Sequence, residues 1–257
     1  MFKGHTFPKL IIIQAVYFKF RFGLSYREIE ELMSIRGVTV DHATIQRWVF
    51  KFTPLFEKEF RQRKKCVGKL WRMDETYIKV KGQWKYLYRA VDKAGSTVDF
   101  LLTKRRKRMS AQSFLIKAIG NNGKPELINM DKSASNKHAI RIYNKRSLSK
   151  IQIRQCKNLN NIVEQDHRFV KKRITRGLGF KEFESARRTL CEIEIVHMIR
   201  KNQLISNRTS IFKSFYSLAS QRITIISYLR IWFNRCDRTK RLNIKKKSDT
   251  LVSLFFT

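Results

Sequence analysis

Three short stretches of the chain place a carboxylate where strands or helices are expected to meet. They are centred on Asp74, Asp131 and Glu164, each inside or at the end of an apolar run. Only 20 of the 257 residues are Asp or Glu, against 56 Lys and Arg, so these carboxylates are conspicuous. Carboxylate oxygens are ligands that Mg²⁺ prefers, and paired ions can promote in-line displacement at phosphorus. The pattern suggests a Mg²⁺ site acting on phosphodiesters, but acidic spacing alone is weak evidence, because many proteins have aspartates at strand ends.

The charge of the chain indicates a nucleic-acid partner. The formal net charge is +36 and the pI is about 10.6, with basic residues spread from end to end. An anionic membrane surface is the competing partner. The longest apolar runs, Leu10–Ile13 and Ile223–Phe233, are much shorter than the roughly 18 residues of a membrane span. No targeting signal is evident, so we expect a cytoplasmic, DNA-associated protein that does not enter a membrane.

The cysteines argue against a structural zinc site. Four of them are scattered along the chain without a Cys-x-x-Cys pair or a Cys/His cluster: Cys66, Cys156, Cys191 and Cys236. Zinc sites need closely paired ligands, so we interpret these residues as reduced thiols of a cytosolic protein.

The first 60 residues have the pattern of a helix-turn-helix. Apolar spacing predicts a helix over Pro8–Phe22, and a capping box at Ser25 and Glu28 opens a second helix. That helix ends near Gly37, and a third begins around Asp41. The third helix presents three polar side chains outward that we predict to contact DNA: His42, Gln46 and Arg47. A plain three-helix bundle with a solvated basic face is the alternative.

The residues that follow predict an α/β arrangement with a mixed sheet. Alternating β-branched and aromatic residues, broken by glycine turns, indicate an antiparallel meander over 72–80, 84–91 and 97–103. Further elements are a helix at 110–119, a strand at 126–130, a helix at 134–143, a strand at 151–154, and helices at 161–173 and 183–201. Asp131 thus comes at the carboxyl end of a central strand, where ligands gather in open α/β sheets.

The predicted helix Asn161–Arg173 separates charge from apolar residues. At 100° per residue its apolar side chains share one face: Ile162, Val163, Phe169 and Val170. The opposite face carries Glu164, Arg168 and Lys171. Lys171 lies two turns after Glu164, so we expect both cations to contact DNA beside the reacting phosphate.

Two basic runs are further candidates for phosphate contacts. One, Arg61–Lys65, includes Lys64 and Lys65, and the other, Lys104–Arg108, includes Arg105 and Arg106. A solvated face is the ordinary interpretation of such runs, but in a DNA enzyme we expect them to contact the backbone.

Several local segments carry a resemblance to a known family. They are Leu24–Met33, Arg36–Val38, Arg47–Val49, Trp71–Gly82, Tyr86–Asp92, Asp131–Lys132, Glu164–Arg168, Leu178–Lys181 and His197–Lys201. In this order they resemble the bacterial insertion-sequence DDE transposases, most closely the insertion-sequence-6 group. The resemblance extends roughly from residue 3 to residue 219.

The resemblance implies a fold, a reaction and a set of partners. The fold would be an N-terminal helix-turn-helix followed by an RNase H-like catalytic core, with Asp74, Asp131 and Glu164 as its metal-binding triad. The cofactor would be Mg²⁺, with Mn²⁺ as a substitute. The enzyme would cut DNA at terminal inverted repeats and join the 3′ ends to target DNA, as a homodimer or larger assembly on DNA.

We predict four segments along the chain: a helix-turn-helix domain at 1–60, a basic connector at 61–69, the catalytic domain at 70–205 and a C-terminal segment at 206–257. The last part of that segment has no counterpart in the resemblance and is interpreted as read-through sequence. The spacing from Asp131 to Glu164 is also shorter than the resemblance leads us to expect. Two alternatives therefore stay open, a degenerate copy that binds element ends without cutting and an RNA-binding structural protein, of which the second requires the triad to be a coincidence.

Overall fold

The computed structural model describes residues 2, 4–106, 108–131, 133–148, 150–175, 180–206 and 210–219. The tail interpreted as read-through, from residue 221 onward, lies outside the described residues. Within the described ranges, no helix is both long enough and apolar enough to cross a membrane.

Three helices form the N-terminal part, as predicted: α1 (Lys9–Phe22), α2 (Tyr26–Ile35) and α3 (His42–Arg63). The predicted capping box is present, because the Glu28 backbone N–H donates to Ser25 Oγ at 3.1 Å and the Glu28 carboxylate accepts from the Ser25 N–H. Gly37 has φ of +74°, a value that a side chain disfavours, and it lets the chain turn sharply after α2. Asp41 caps α3 by accepting from the Thr44 N–H.

Helix α3 is longer than the sequence suggested. Its apolar stripe continues past the turn motif through three buried rings spaced four residues apart: Phe52, Phe56 and Phe60. The first residues of the predicted basic connector are therefore helical. Arg61 is among them, and its guanidinium lies 2.7 Å from Glu57 and 3.3 Å from the buried Asp99.

The centre of the protein is a five-stranded mixed sheet of order β3-β2-β1-β4-β5. The first three strands form the predicted antiparallel meander, and β4 and β5 run parallel to β1. Their bounds are β1 (Leu70–Val80), β2 (Gln83–Asp92), β3 (Thr97–Thr103), β4 (Leu127–Met130) and β5 (Gln152–Gln155). This is the RNase H-like arrangement with a mixed sheet that we expected.

Five helices complete the described fold, four of them near their predicted positions. They are α4 (Arg108–Asn122), α5 (Ala134–Arg146), α6 (Asn161–Thr175), α7 (Phe183–Arg200) and α8 (Ile211–Leu218). A 3-10 turn, Lys157–Asn160, leads directly into α6.

The sheet separates two hydrophobic clusters. On one face, Trp71, Met73 and Tyr88 pack with residues of α4 and α5. On the other face, Ile78 and Leu87 join a cluster that includes buried residues of α1, α3, α7 and α8. The N-terminal helices thus share a core with the sheet, and the domain boundaries drawn from the sequence stay predictions.

Helix α8 belongs to this shared core. The ring centroid of Phe215 lies 5.4 Å from that of Phe20 and 4.7 Å from that of Phe56, and Phe215 is fully buried. The Arg63 guanidinium also donates to the Ser217 carbonyl at 2.7 Å. An eight-residue helix gives too short a periodic pattern to be recognised alone, which is why sequence analysis left it within an undivided C-terminal segment.

A buried carboxyl group joins α3 to α7. The Thr53 hydroxyl donates to Glu192 Oε1 at 3.2 Å, and burial raises the pKa of Glu192 from 4.5 to about 7. Between those two values the folded state binds the proton more tightly than the unfolded state. The free energy of unfolding therefore falls as the pH rises through this window, by about 3 kcal/mol in total.

We expect Glu192→Gln to raise the melting temperature at pH 8 and to leave it nearly unchanged at pH 5, because the amide keeps an acceptor for Thr53 without a charge. Calorimetric scans across pH 4.5–8 measure the effect. Glu184→Gln, at an exposed position on the same helix, is the matched control and should follow the wild-type curve. A Glu192→Gln curve parallel to wild type across the whole range would show that this group does not titrate in the window.

Candidate active site

The pairing of β1 with β4 brings the two predicted aspartates together. The parallel register ends with Met73 opposite Met130, and Asp74 and Asp131 follow immediately on these neighbouring strands. Adjacent strands lie about 4.8 Å apart, so the two carboxylates emerge side by side. Both line an open pocket of about 340 Å³, together with Glu75, Tyr77, Arg106 and Ser133.

Asp74 experiences strong negative potential. Its side chain is 19% exposed, and burial raises its pKa to about 7, with further contributions from the charges of Glu75, Asp131 and Glu164. Carboxylates this close repel one another when all are ionised. A cation in the pocket would relieve that repulsion.

Glu164 is the fourth residue of α6, and its charge contributes to the raised pKa of Asp74. It is half-buried, whereas Arg168 and Lys171 on the same helix are exposed, as the helical period predicts. The three carboxylates do not converge tightly. In the described part of the chain, the potential ligand atoms of three residues lie within 4.8 Å of one another only in the group Glu30, Asp41 and His42.

A buried ionic network holds α6 against the sheet beneath these carboxylates. Arg89 is fully buried and lies directly opposite Asp74 in the β1–β2 register. Its Nη2 donates to Asp166 Oδ2 at 2.9 Å and to Glu194 Oε2 at 3.0 Å. Lys201 donates to both Asp166 oxygens, at 2.6 and 2.7 Å. Because Asp166 is two residues after Glu164, this network sets where Glu164 lies.

Hydrogen bonding and neighbouring positive charges keep the Asp166 carboxyl group ionised. Burial alone would raise the pKa of Asp166, but a hydrogen bond with His197 and the charges of Arg89 and Lys201 hold that pKa well below its usual range. Asp166 is therefore a permanent carboxylate.

The buried His167 ring lies beside the Asp74 carboxylate. Its Nδ1 lies 3.5 Å from Asp74 Oδ2. Burial, followed by the positive charges of Arg89 and Lys171, lowers the pKa of His167 to about 3, so its ring is neutral.

Two buried amides hold Asp131. Asn160, the last residue of the 3-10 turn, donates to Asp131 Oδ1 at 3.3 Å, and Asn129 donates to Asn160 Oδ1 at 2.7 Å. Both asparagines are fully buried. Sequence analysis missed them, because an asparagine before a helix is far more often a solvated cap than a buried support.

Glu75 anchors Arg106 at the rim of the pocket. Arg106 donates to Glu75 Oε1, and the Asn136 amide donates to Glu75 Oε2 at 2.8 Å. The Arg106 side chain remains 43% exposed, and Arg105 beside it is exposed. Both positions are accessible for the phosphate contacts predicted for them.

The outward face of α3 is partly engaged in local contacts. His42 Nδ1 lies 2.9 Å from Glu30 Oε2, and the Arg47 guanidinium donates to Thr44 Oγ1 at 2.8 Å. Gln46 is half-buried and Arg47 is exposed. The three residues predicted to contact DNA therefore lie on one helix, and none of them lines the pocket.

The two connector lysines differ. The Lys64 ammonium donates to the Val98 carbonyl and to Asn122 Oδ1, and burial lowers its pKa to about 8. Two of its three N–H donors are thus occupied inside the protein, and its contact with DNA stays a prediction. Lys65 is exposed and donates to Asn202 Oδ1 at 3.0 Å.

Comparison with known proteins gives consistent matches. A family model described as a DDE domain matches residues 68–203. The transposase for insertion sequence element IS257 in transposon Tn4003 of Staphylococcus aureus is 39% identical over 201 residues, covering 78% of this chain and 88% of that protein. The transposase for insertion sequence-like element IS431mec of Staphylococcus aureus strain Mu50 has the same identity and coverage.

Solved structures with similarity include two integrase catalytic cores. The HTLV-2 integrase core in complex with magnesium, dimeric form, is 20% identical with a TM-score of 0.38, covering 44% of this chain and 74% of that chain. The BIV integrase core in crystal form I is 16% identical with a TM-score of 0.41, covering 61% and 99%.

We expect Arg89→Met to lower the free energy of unfolding by about 3–5 kcal/mol, because Asp166 and Glu194 would remain buried without their cation. Urea titration measures the change. Arg187→Met removes an arginine from an exposed pair with Glu184 on α7 and should cost about 1 kcal/mol or less. Similar losses in the two variants would mean that the Arg89 network contributes no more than a surface ion pair.

Proposed function

The chain belongs to the insertion-sequence DDE transposases of the insertion-sequence-6 group, and we propose that it cuts the ends of a mobile element and joins them to target DNA. Like other members, it is a polynucleotidyl transferase. The observation that carries the proposal is the adjacent placement of Asp74 and Asp131 in an open pocket, with the charge of Glu164 acting on Asp74. The substrates would be the terminal inverted repeats of the element and the target DNA.

We assign the metal-binding role to Asp74, Asp131 and Glu164. Three carboxylates form a hard oxygen donor set that suits Mg²⁺, with Mn²⁺ as a substitute. Burial is the main cause of the raised pKa of Asp74, and the charges of Glu75, Asp131 and Glu164 raise it further. That second contribution supports the role, because a divalent cation would offset the repulsion between the carboxylates. When bound, such ions activate the attacking water or hydroxyl and stabilise the leaving oxygen of an in-line displacement.

The chain itself orients these groups and attracts DNA. Arg89 and Lys201 hold α6 through Asp166, and Asn160 holds Asp131, so the carboxylates are supported by buried contacts. Arg106 lines the pocket, and Arg168 and Lys171 lie exposed on the helix of Glu164. We assign phosphate contacts to these three cations, in a chain of net charge +36.

For recognition of the element ends we propose the N-terminal half of α3. A helix that follows a glycine turn can enter the major groove and present its outward side chains to base edges. His42, Gln46 and Arg47 occupy that face, whereas Lys65 and Arg105 suit sequence-independent phosphate contacts. The enzyme would work in the cytoplasm, as a homodimer or larger assembly on DNA.

We expect Asp74→Asn to reduce strand transfer by at least about 10²–10³-fold, the scale of losing one preorganised electrostatic contact. A strand-transfer assay with element-end DNA and Mg²⁺ measures it, beside gel-shift binding to the same DNA, which should be preserved. Glu184→Gln removes an exposed carboxylate elsewhere and should leave both unchanged. Undiminished transfer by Asp74→Asn would refute the metal site, and absence of transfer by the wild type would favour a copy that binds without cutting.

We also expect Gln46→Ala and Arg47→Ala to weaken binding to element ends about tenfold more than binding to random DNA, since base contacts contribute about 1–3 kcal/mol of discrimination. Lys65→Ala should weaken both alike, because phosphate contacts carry no sequence information. Fluorescence anisotropy at fixed salt compares the two DNAs. Equal losses on both DNAs for all three variants would exclude α3 as the reading helix.

A further inference from the structure

An aromatic surface on the β1–β2 hairpin adjoins the site described above and extends beyond it. It consists of Tyr77, Trp84 and Tyr86. The Tyr77 and Trp84 side chains are 43% and 59% exposed. The Tyr77 ring centroid lies 6.3 Å from that of Trp84 and 5.3 Å from that of Tyr86, in edge-to-face geometry. Rings of this size are seldom left in water without a partner.

The strand register explains why the three rings share one face. Tyr77 pairs with Tyr86 and Lys79 pairs with Trp84, so alternate residues of both strands point the same way. Further along the same face, Tyr88 is buried and stacks on Phe114 of α4. The aromatic side chains on this face are therefore buried at Tyr88 and exposed at Trp84.

The surface is positively charged. Lys79 Nζ lies 5.8 Å from the Trp84 ring centroid, and Arg106 Nη1 donates to the Tyr77 hydroxyl at 3.4 Å. From residue 76 to residue 87 the hairpin contains three lysines and no acidic residue. Aromatic rings interleaved with cations suit a ligand that has both flat bases and phosphates.

The aromatic surface is continuous with the acidic pocket. Tyr77 belongs to this surface and Arg106 contacts it, and both residues line the pocket that contains Asp74 and Asp131. A DNA strand with a phosphate in that pocket would therefore lie beside the Tyr77 ring.

Backbone contacts with Phe180 hold the turn of the β1–β2 hairpin in place. Its two turn residues, Lys81 and Gly82, both have positive φ, +47° and +74°, which is the geometry of a tight two-residue hairpin. The Lys81 N–H donates to the Phe180 carbonyl at 2.7 Å, and Val80 bridges to Phe180. The rings thus sit on a supported strand pair, which lowers the entropy lost on binding.

From this geometry we infer that Tyr77, Trp84 and Tyr86 stack on unpaired bases of the DNA strand whose phosphate enters the pocket. The inference rests on the function proposed for the pocket and adds a ligand class, single-stranded nucleotides beside the cleavage point. A second copy of this chain is the competing occupant. It would bring two lysine-bearing surfaces together, whereas DNA is complementary in charge, so DNA is favoured.

The test measures binding of the full chain to element-end duplexes that carry a short single-stranded overhang or are fully paired, without divalent metal. 2-Aminopurine in the overhang reports stacking through quenching. We expect Trp84→Ala to weaken overhang binding by about tenfold and to abolish the quenching, with duplex binding unchanged. Trp84→Phe keeps a stacking face and should retain most of both signals.

Phe22→Ala, which removes an exposed ring on α1, is the matched control and should bind both DNAs as the wild type does. Unchanged overhang affinity and quenching in Trp84→Ala would overturn the inference. So would a loss of dimer mass in sedimentation for Trp84→Ala without DNA, because the rings would then form a subunit contact. Measuring strand transfer by Asp74→Asn in parallel separates the two claims. If Asp74→Asn loses strand transfer while Trp84→Ala binds the overhang normally, the proposed function stands and only the stacking inference is rejected.

Discussion

The contacts of the buried Arg89 guanidinium position the proposed catalytic carboxylates. Arg89 faces the same side of the sheet as Asp74 and binds Asp166, which follows Glu164 by two residues on α6. Glu194 and Lys201 complete the network, so two cations and two carboxylates neutralise one another. Removing one member would leave a buried charge unpaired, which is why we regard the network as a constraint on geometry rather than as a source of stability.

The distribution of charge explains how a strongly basic protein can hold an acidic pocket. Asp74, Glu75 and Asp131 line one open site, while most of the excess positive charge is elsewhere on the chain. The site therefore has a local field opposite in sign to the field that attracts DNA. A phosphodiester can be drawn to the surface by the lysines and arginines, but it can occupy the pocket only with cations, as the metal-assisted mechanism requires.

The N-terminal helices and the catalytic sheet share one hydrophobic cluster. Buried residues of α1, α3, α7 and α8 pack together with one face of β1 and β2. Glu192 and Thr53 join α7 to α3 across this cluster by a hydrogen bond. The helix proposed to read element ends is thus packed directly against the helix that carries Glu194 and His197, which belong to the Arg89 network. This packing would hold the proposed recognition helix in a fixed position relative to the proposed catalytic site.

Local sequence was sufficient for most of the helices, the strands and the mixed sheet, because periodicity, capping and turn residues act over a few positions. Ser25, Gly37 and Asp41 show this, as each performs the local role that its type predicts. Tertiary structure decided what depends on distant partners. Lys64 points inward to Asn122 although its neighbours suggest a surface run, and Asn160 is buried against Asp131. Burial and partner identity arise from chain segments far apart in sequence, so no local pattern encodes them.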